Sequence, residues 1–292
     1  MSKVLILGGT RFFGKKLVER LIRQQADITM ITRGNTPDSF GNSVKRLQAD
    51  RTELAALARA IGDDSYDVVY DNICYTPAEA ADAVTLFAGK AGKYIVTSSL
   101  SVYPFGEPRK QEGDFDPYSC PIPQPYATQV EYAEGKRLVE AVLFQQASFP
   151  VVAVRFPIVM GHEDYTRRLH FHVEHVQSGK TVGMPNPDAM LSFIHADEAA
   201  RFLAWLAHSR LEGPVNACSR GEISPGQIMA LISEATGKPA LIASESDESD
   251  RSPYGVPESW YMDTSFAESA GFTFDHWKDW LPQLIREMAG EE

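Results

Sequence analysis

Cysteine is scarce in this chain. Only Cys74, Cys120 and Cys218 occur in 292 residues, far apart and in no C-x-x-C pair. A disulfide scaffold is therefore excluded, and free thiols in a reducing compartment are expected. Positive charge is also in deficit, with 28 Lys and Arg against 39 Asp and Glu, a formal net charge of −11. Such a surface repels phosphate backbones, so no nucleic-acid partner is expected, although a local basic pocket remains compatible. Long apolar runs are missing as well. The stretch "VVAVRFPIVMG" is broken by Arg155 and Pro157, and no segment is long enough to span a bilayer. The start, "MSKVLIL", enters a strand without a signal-peptide pattern. These absences predict a cytoplasmic protein with no membrane partner.

What is present is a regular alternation. At 43% hydrophobic residues the chain can bury a large core, as one domain or as a domain with a smaller lobe. Strands are expected at "KVLIL" (3–7), "DITMIT" (27–32), "VKRLQAD" (44–50), "DVVYDNI" (67–73), "KYIVTSS" (93–99) and "PVVAVRF" (150–156). Helices are expected between them, over 13–25, 52–62, 77–92 and 126–147. In the first of these, Leu17, Val18, Leu21 and Ile22 share one face. Strand–helix alternation with right-handed crossovers predicts an α/β fold, a doubly wound parallel sheet of Rossmann type. The proline-rich stretch 103–126 is expected to be an irregular loop beside the active site. Past Gly161 the alternation loosens, which predicts a dinucleotide-binding domain over 1–160 and a smaller C-terminal substrate lobe over 161–292. Residues 192–208 are expected to return to the first domain.

The stretch "LILGGTRFFG" resembles a dinucleotide fingerprint with one departure. In both registers, Gly9-x-Arg11-x-x-Gly14 and Gly8-x-x-Arg11-x-x-Gly14, arginine replaces the middle glycine. The plainer alternative is an ordinary strand–helix turn. The second strand ends in Thr32 and Arg33, where an NAD site would carry an acid for the ribose 2′-hydroxyl. An arginine there suits a 2′-phosphate, so NADP is expected, with NAD the alternative. Asp50 is placed either to accept from the adenine amino group or to cap a helix.

"EYAEGK" sets Tyr132 and Lys136 four residues apart, on one helical face. A lysine ammonium beside a phenol is expected to lower its pKa and fit it for proton transfer. "TSSLSVYP" brings Thr97, Ser98, Ser99 and Ser101 to the end of a central strand, where a hydroxyl can polarise a substrate oxygen.

Together these segments resemble the short-chain dehydrogenase/reductase superfamily, closest to its extended type and atypical relatives, the NAD-dependent epimerase/dehydratase family. "GGTRFFG" is similar to the atypical branch's own loop, "TSSLSVY" to the serine segment, "YAEGK" with Glu140 to the Tyr-x-x-x-Lys helix, and "RFPIVMG" to the segment that meets the nicotinamide. "FIHADEAARFL" and "VNACSRGEISPGQIMALISEATGK" are similar to later segments and place His195 and Asp197 on a returning strand and helix. The resemblance implies an oxidoreductase in which Tyr132 is the acid/base, Lys136 binds the nicotinamide ribose and tunes Tyr132, and Ser99 orients the substrate oxygen. It implies cofactor contacts from Gly8, Gly9, Thr10, Arg11, Phe12, Phe13, Gly14, Arg33, Asp50 and Pro157. The substrate implied is a small polar molecule such as a nucleotide sugar, and a homodimer is compatible with this reading. Three departures stand out: "NICY" (72–75) where small residues are common, Gly135 where serine or threonine is common, and Met160 in place of a frequent tyrosine.

Arg167, Arg168 and, more weakly, Arg251 are candidates for a substrate phosphate or carboxylate; solvated surface positions are the plainer alternative. "HFHVEH" holds His170, His172 and His175, but no acid or cysteine completes a metal pattern and no metal is expected. "SESDESDR" (244–251) reads as a solvated loop, and "FTFDHWKDWLPQLI" as core of the smaller lobe. Two other readings remain: a non-catalytic cofactor sensor, which has no need of all three of Ser99, Tyr132 and Lys136, and an RNA-associated family member, which the net charge disfavours.

Overall fold

The computed structural model describes residues 2–106 and 109–290. Glu107 and Pro108, part of the loop expected at 103–126, lie outside the described residues. The elements run β1 (Lys3–Leu7), α1 (Phe12–Arg23), β2 (Asp27–Thr32), β3 (Lys45–Gln48), α2 (Leu54–Ile61), β4 (Tyr66–Asp71), α3 (Pro77–Phe87), β5 (Ala91–Ser99), α4 (Tyr132–Gln146) and β6 (Val151–Phe156). They continue with β7 (Ile158–Met160), α5 (Arg168–Ser178), β8 (Thr181–Gly183), β9 (Phe193–His195), α6 (Ala196–Leu206), β10 (Gly213–Asn216), α7 (Pro225–Thr236), β11 (Leu241–Ala243), α8 (Ser265–Ser269) and α9 (Trp277–Ala289).

Seven strands form one parallel sheet in the order β10-β6-β5-β4-β1-β2-β3. This is the expected doubly wound sheet. Its strand order reverses between β1 and β4, the point where such folds bind ligands. Alternation along β1 divides the core. Val4 and Ile6 pack with Leu17, Val18 and Leu21 of α1 and Phe202 and Leu203 of α6. Leu5 and Leu7 face Leu57, Ala80, Val139 and Leu143 on α2, α3 and α4. A third cluster, with Leu169, Val173, Met229, Ile232, Leu281 and Ile285, is built from elements of the C-terminal part of the chain.

Two helix boundaries and one strand depart most from the sequence reading. Helix α3 ends at Phe87, not 92, because Gly89 turns left-handed at φ 70° and β5 already begins at Ala91. Helix α4 begins at Tyr132, not 126. The Glu131 carboxylate caps it by accepting from the backbone N–H of Ala133 and Glu134, while Tyr126 lies alongside and donates to Gln146. Strand β10, which pairs with β6 at the sheet edge, was not anticipated at all.

Candidate active site

The glycine turn is built by close contacts that only hydrogen allows. A Cβ on Gly14 would lie 2.3 Å from the carbonyl oxygen of Gly8. Gly8 is left-handed at φ 85° and presses against Ile73, where a Cβ would approach to 2.6 Å. Gly9 faces inward instead, its Cβ position 2.9 Å from Met30 and from Val18, so it serves helix–strand packing. Arg11 is the N-cap of α1 with an extended backbone (φ −133°), a position that needs no glycine. The next residue, Phe12, takes the left-handed φ of 49°, an uncommon conformation for a side-chain-bearing residue.

Beside this turn lies a cavity of about 410 Å³, within the usual range for small-molecule sites. Gly8, Thr10, Arg11, Phe12, Phe13 and Gly14 line one end, Arg33 and Asp50 another. Arg11 donates to the Thr36 hydroxyl at 3.3 Å and lies over the Tyr165 ring at 5.9 Å. Neither Arg11 nor Arg33 makes an ion pair among the described residues. The Asp50 carboxylate takes two hydrogen bonds from Thr52, which hold its pKa below the usual range, so it both caps a turn and lines the cavity. Of the residues expected at the cofactor, Gly9, Lys136 and Pro157 do not line the cavity, nor do Ser99 and Tyr132; Pro157 is buried between β6 and β7.

Ser99 at the end of β5, Tyr132 at the start of α4 and Lys136 one turn later come together. The Ser99 hydroxyl lies close enough to the Tyr132 phenol to hold its pKa down. Lys136, only 1% exposed, donates to the carbonyl oxygens of Cys74 and Thr97, both at 2.8 Å. Its Nζ lies 5.8 Å from the Tyr132 ring centre. The expected lowering of the phenol's pKa does not appear. Tyr132 is 51% exposed, yet the protein packed round its phenol pushes the pKa up, opposed by the nearby Ser99 hydroxyl and the Arg168 charge. Lys136 is spent on carbonyls rather than on the phenol, and its own pKa is pushed down by burial.

Sequence reasoning missed several contributors. Tyr75 and Tyr165 line the cavity; Tyr75 lay in the flagged "NICY", while nothing in the sequence marked Tyr165. Asn72 donates to Gly8 O at 3.3 Å and accepts from the Thr97 hydroxyl at 2.8 Å, tying the glycine turn to β5. Arg51 also lines the cavity while pairing with buried Asp71 at 2.9 Å, and Asp71 accepts from Tyr94. Glu140 pairs with Arg155, both fully buried, and Arg155 reaches on to Tyr103 and the carbonyls of Glu112 and Phe115.

The candidate substrate arginines separate. Arg168 opens α5 near Tyr132, and its charge lowers the phenol's pKa. Arg167 pairs with Glu174, and exposed Arg251 makes a backbone bridge to Gly183. Two of the three histidines are held by hydrogen bonds, while the buried Nδ1 of His170 has no partner among the described residues. His172 bonds Arg168 O and the Ser252 hydroxyl, and His175 bonds Phe171 O and Asp250. Among the described residues no helix is long and apolar enough to cross a membrane.

A glycine turn opens α1, a cavity lies at the strand-order reversal, and Ser99, Tyr132 and Lys136 gather near it. Residues 4–88 match the model of the NAD dependent epimerase/dehydratase family. It is 26% identical over 226 residues to the chloroplast stem-loop binding protein of 41 kDa b from Arabidopsis thaliana, a match covering 72% of this chain and 56% of that protein. It is 23% identical over 261 residues to 2′-dehydrokanamycin reductase from Streptomyces kanamyceticus, covering 88% and 70%. Its fold matches a Bacillus cereus UDP-glucuronic acid 4-epimerase, solved with UDP-4-deoxy-4-fluoro-glucuronic acid and NAD, with a TM-score of 0.74, 16% identity and coverage of 99% and 98%.

Proposed function

We propose that this protein is an NADP(H)-dependent enzyme of the epimerase, dehydratase and reductase group, acting at a carbinol or carbonyl of a small polar substrate. The observation that carries this reading is the convergence of Ser99, Tyr132 and Lys136 beside the cavity that the glycine turn opens onto. The cavity suits a dinucleotide. Gly8 and Gly14 form a cradle that a Cβ would fill, and the first N–H groups of α1 are free of helical partners and favour a phosphate. Arg11 and Arg33, with no acid at Thr32, favour a 2′-phosphate and hence NADP over NAD.

A bound nicotinamide supplies the hydride chemistry. The protein's part is proton transfer and orientation. Tyr132 moves a proton to or from the substrate oxygen, Ser99 hydrogen-bonds that oxygen, and Lys136 binds the nicotinamide ribose while holding a positive charge near the phenol. The substrate class suggested by the relatives' names is a sugar ring, a nucleotide sugar foremost. The stem-loop binding relative raises an RNA reading, which a net charge of −11 weighs against.

Calorimetric titration of the purified protein with NADPH and NADH tests the cofactor. NADPH is expected to bind about tenfold tighter or more, as a charge-assisted contact implies, and Arg33→Ala is expected to erase the difference. Equal or reversed affinities would remove NADP from the proposal.

A further inference from the structure

The Lys136 ammonium is buried without a direct anionic partner. Its two hydrogen-bond acceptors are backbone carbonyls, and it forms no salt bridge among the described residues. What lies over it is Tyr75, whose ring centre is 4.5 Å from Nζ. The Tyr132 ring is further, at 5.8 Å. Tyr75 is 42% exposed and lines the cavity, so its ring borders both the ammonium and the space where a cofactor would lie.

Its position is fixed from two sides. The Glu79 carboxylate accepts from the backbone N–H of Tyr75 at 2.6 Å and of Thr76 at 3.0 Å, while Thr76 caps α3 in return. On the other side, Gly135 lets α4 come so close that a Cβ there would lie 2.4 Å from Tyr75 O. The two departures noted in the sequence, "NICY" and Gly135, are therefore one feature: the loop after β4 is pressed onto α4.

We propose that Tyr75 is a positioning residue whose ring face holds the Lys136 ammonium charged and in place at the edge of the cavity that Tyr75 lines. An aromatic face attracts a cation through its quadrupole, most strongly where water is excluded. This supplies what the site otherwise lacks, since burial works against the charge. The other groups facing Lys136 are Cys74 and Asp71 from β4 and its loop, Glu79 from α3, and Tyr132 and Glu140 from α4. The anionic ones act at a distance; no carboxylate touches Nζ. The inference rests on the dinucleotide reading of the cavity.

The test is the pH dependence of NADPH affinity, followed by calorimetry in wild type, Lys136→Met, Tyr75→Phe, and variants carrying increasingly fluorinated phenylalanines at 75. Fluorination weakens the ring face with little change of shape, so a purely structural role would leave the profile unmoved. In wild type, affinity is expected to fall on the alkaline side, and Lys136→Met should remove that fall. Tyr75→Phe should keep it in place. Increasing fluorination should move it progressively to lower pH, by about one unit overall, equivalent to about tenfold in affinity at a fixed alkaline pH. Tyr75→Leu should shift it in the same direction. A profile indifferent to fluorination, or an alkaline fall that survives in Lys136→Met, overturns the inference while leaving the cofactor reading intact. Absence of any NADPH or NADH binding in wild type overturns both.

Discussion

The α-carbon of Gly135 faces the carbonyl oxygen of Tyr75 so closely that a methyl group at 135 would sit 2.4 Å from it. The contact sets how near the Tyr132–Lys136 helix lies to the loop that follows β4. Alanine there gains helix propensity, about 1 kcal/mol at most. It must also push a backbone oxygen aside, which costs about 1–3 kcal/mol. Gly135→Ala is expected to be destabilising overall in chemical denaturation and to weaken cofactor binding by displacing Tyr75. Stabilisation by alanine would show that the loop gives way freely.

Tyr132→Phe keeps the ring and its packing on Tyr75, 6.4 Å away, and deletes only the hydroxyl. Turnover is expected to fall by about 10²–10⁴-fold, the usual worth of a general acid or base. Cofactor affinity should remain within twofold. Unchanged turnover would take Tyr132 out of the proposed mechanism.

Glu140 and Arg155 are both fully buried, and the carboxylate also accepts from the Ser98 hydroxyl. Glu140→Leu leaves a buried guanidinium unpaired and is expected to cost about 3–5 kcal/mol. Adding Arg155→Met should recover most of that. The recovery should be incomplete, because Arg155 also holds Tyr103 and the carbonyls of Glu112 and Phe115. Equal stabilities of the single and double variants in urea would contradict this account.

Two buried groups pull the acid stability in opposite directions. Burial pushes Glu198 up to about 7 from 4.5 and His172 down to about 4 from 6.5. Between pH 7 and 4.5 folded Glu198 holds a proton that the unfolded chain releases, so acidification stabilises. Between pH 6.5 and 4 the unfolded chain protonates His172 and the folded one does not, so acidification destabilises. Their slopes offset each other in wild type. Glu198→Gln removes the first, and its stability is expected to fall by about 2 kcal/mol from pH 6.5 to pH 4.5. A flat profile in the variant would show that His172 is not held neutral.

The sheet was largely legible in the sequence because its strands are short apolar runs with helical stretches between them, and that periodicity is local. The glycine turn was legible too, and its departure at Arg11 proved structurally harmless because the N-cap position it fills is extended. Strand β10 was not legible: four residues, "GPVN", carry too little pattern. The starts and ends of helices were set by Glu131 and Gly89, capping residues whose effect depends on where the chain goes next.

The site divides the same way. That Ser99, Tyr132, Lys136 and the glycines gather at one edge of the sheet was legible in the sequence, because spacing on one strand end, one helix turn and one loop places each group there. Tyr165 and Arg51 were not, and neither were the contacts of Tyr75 with Lys136 or of Arg155 with Glu140. Their partners lie 15 or more residues away, and only the packing of β4, β6 and α4 decides which side chains meet. The lysine shows the difference best. Sequence alone placed Lys136 one turn from Tyr132 and predicted an ammonium that lowers the phenol's pKa. The tertiary structure turned that ammonium onto two carbonyls beneath the Tyr75 ring, because a buried charge takes the nearest dipoles and aromatic faces available to it.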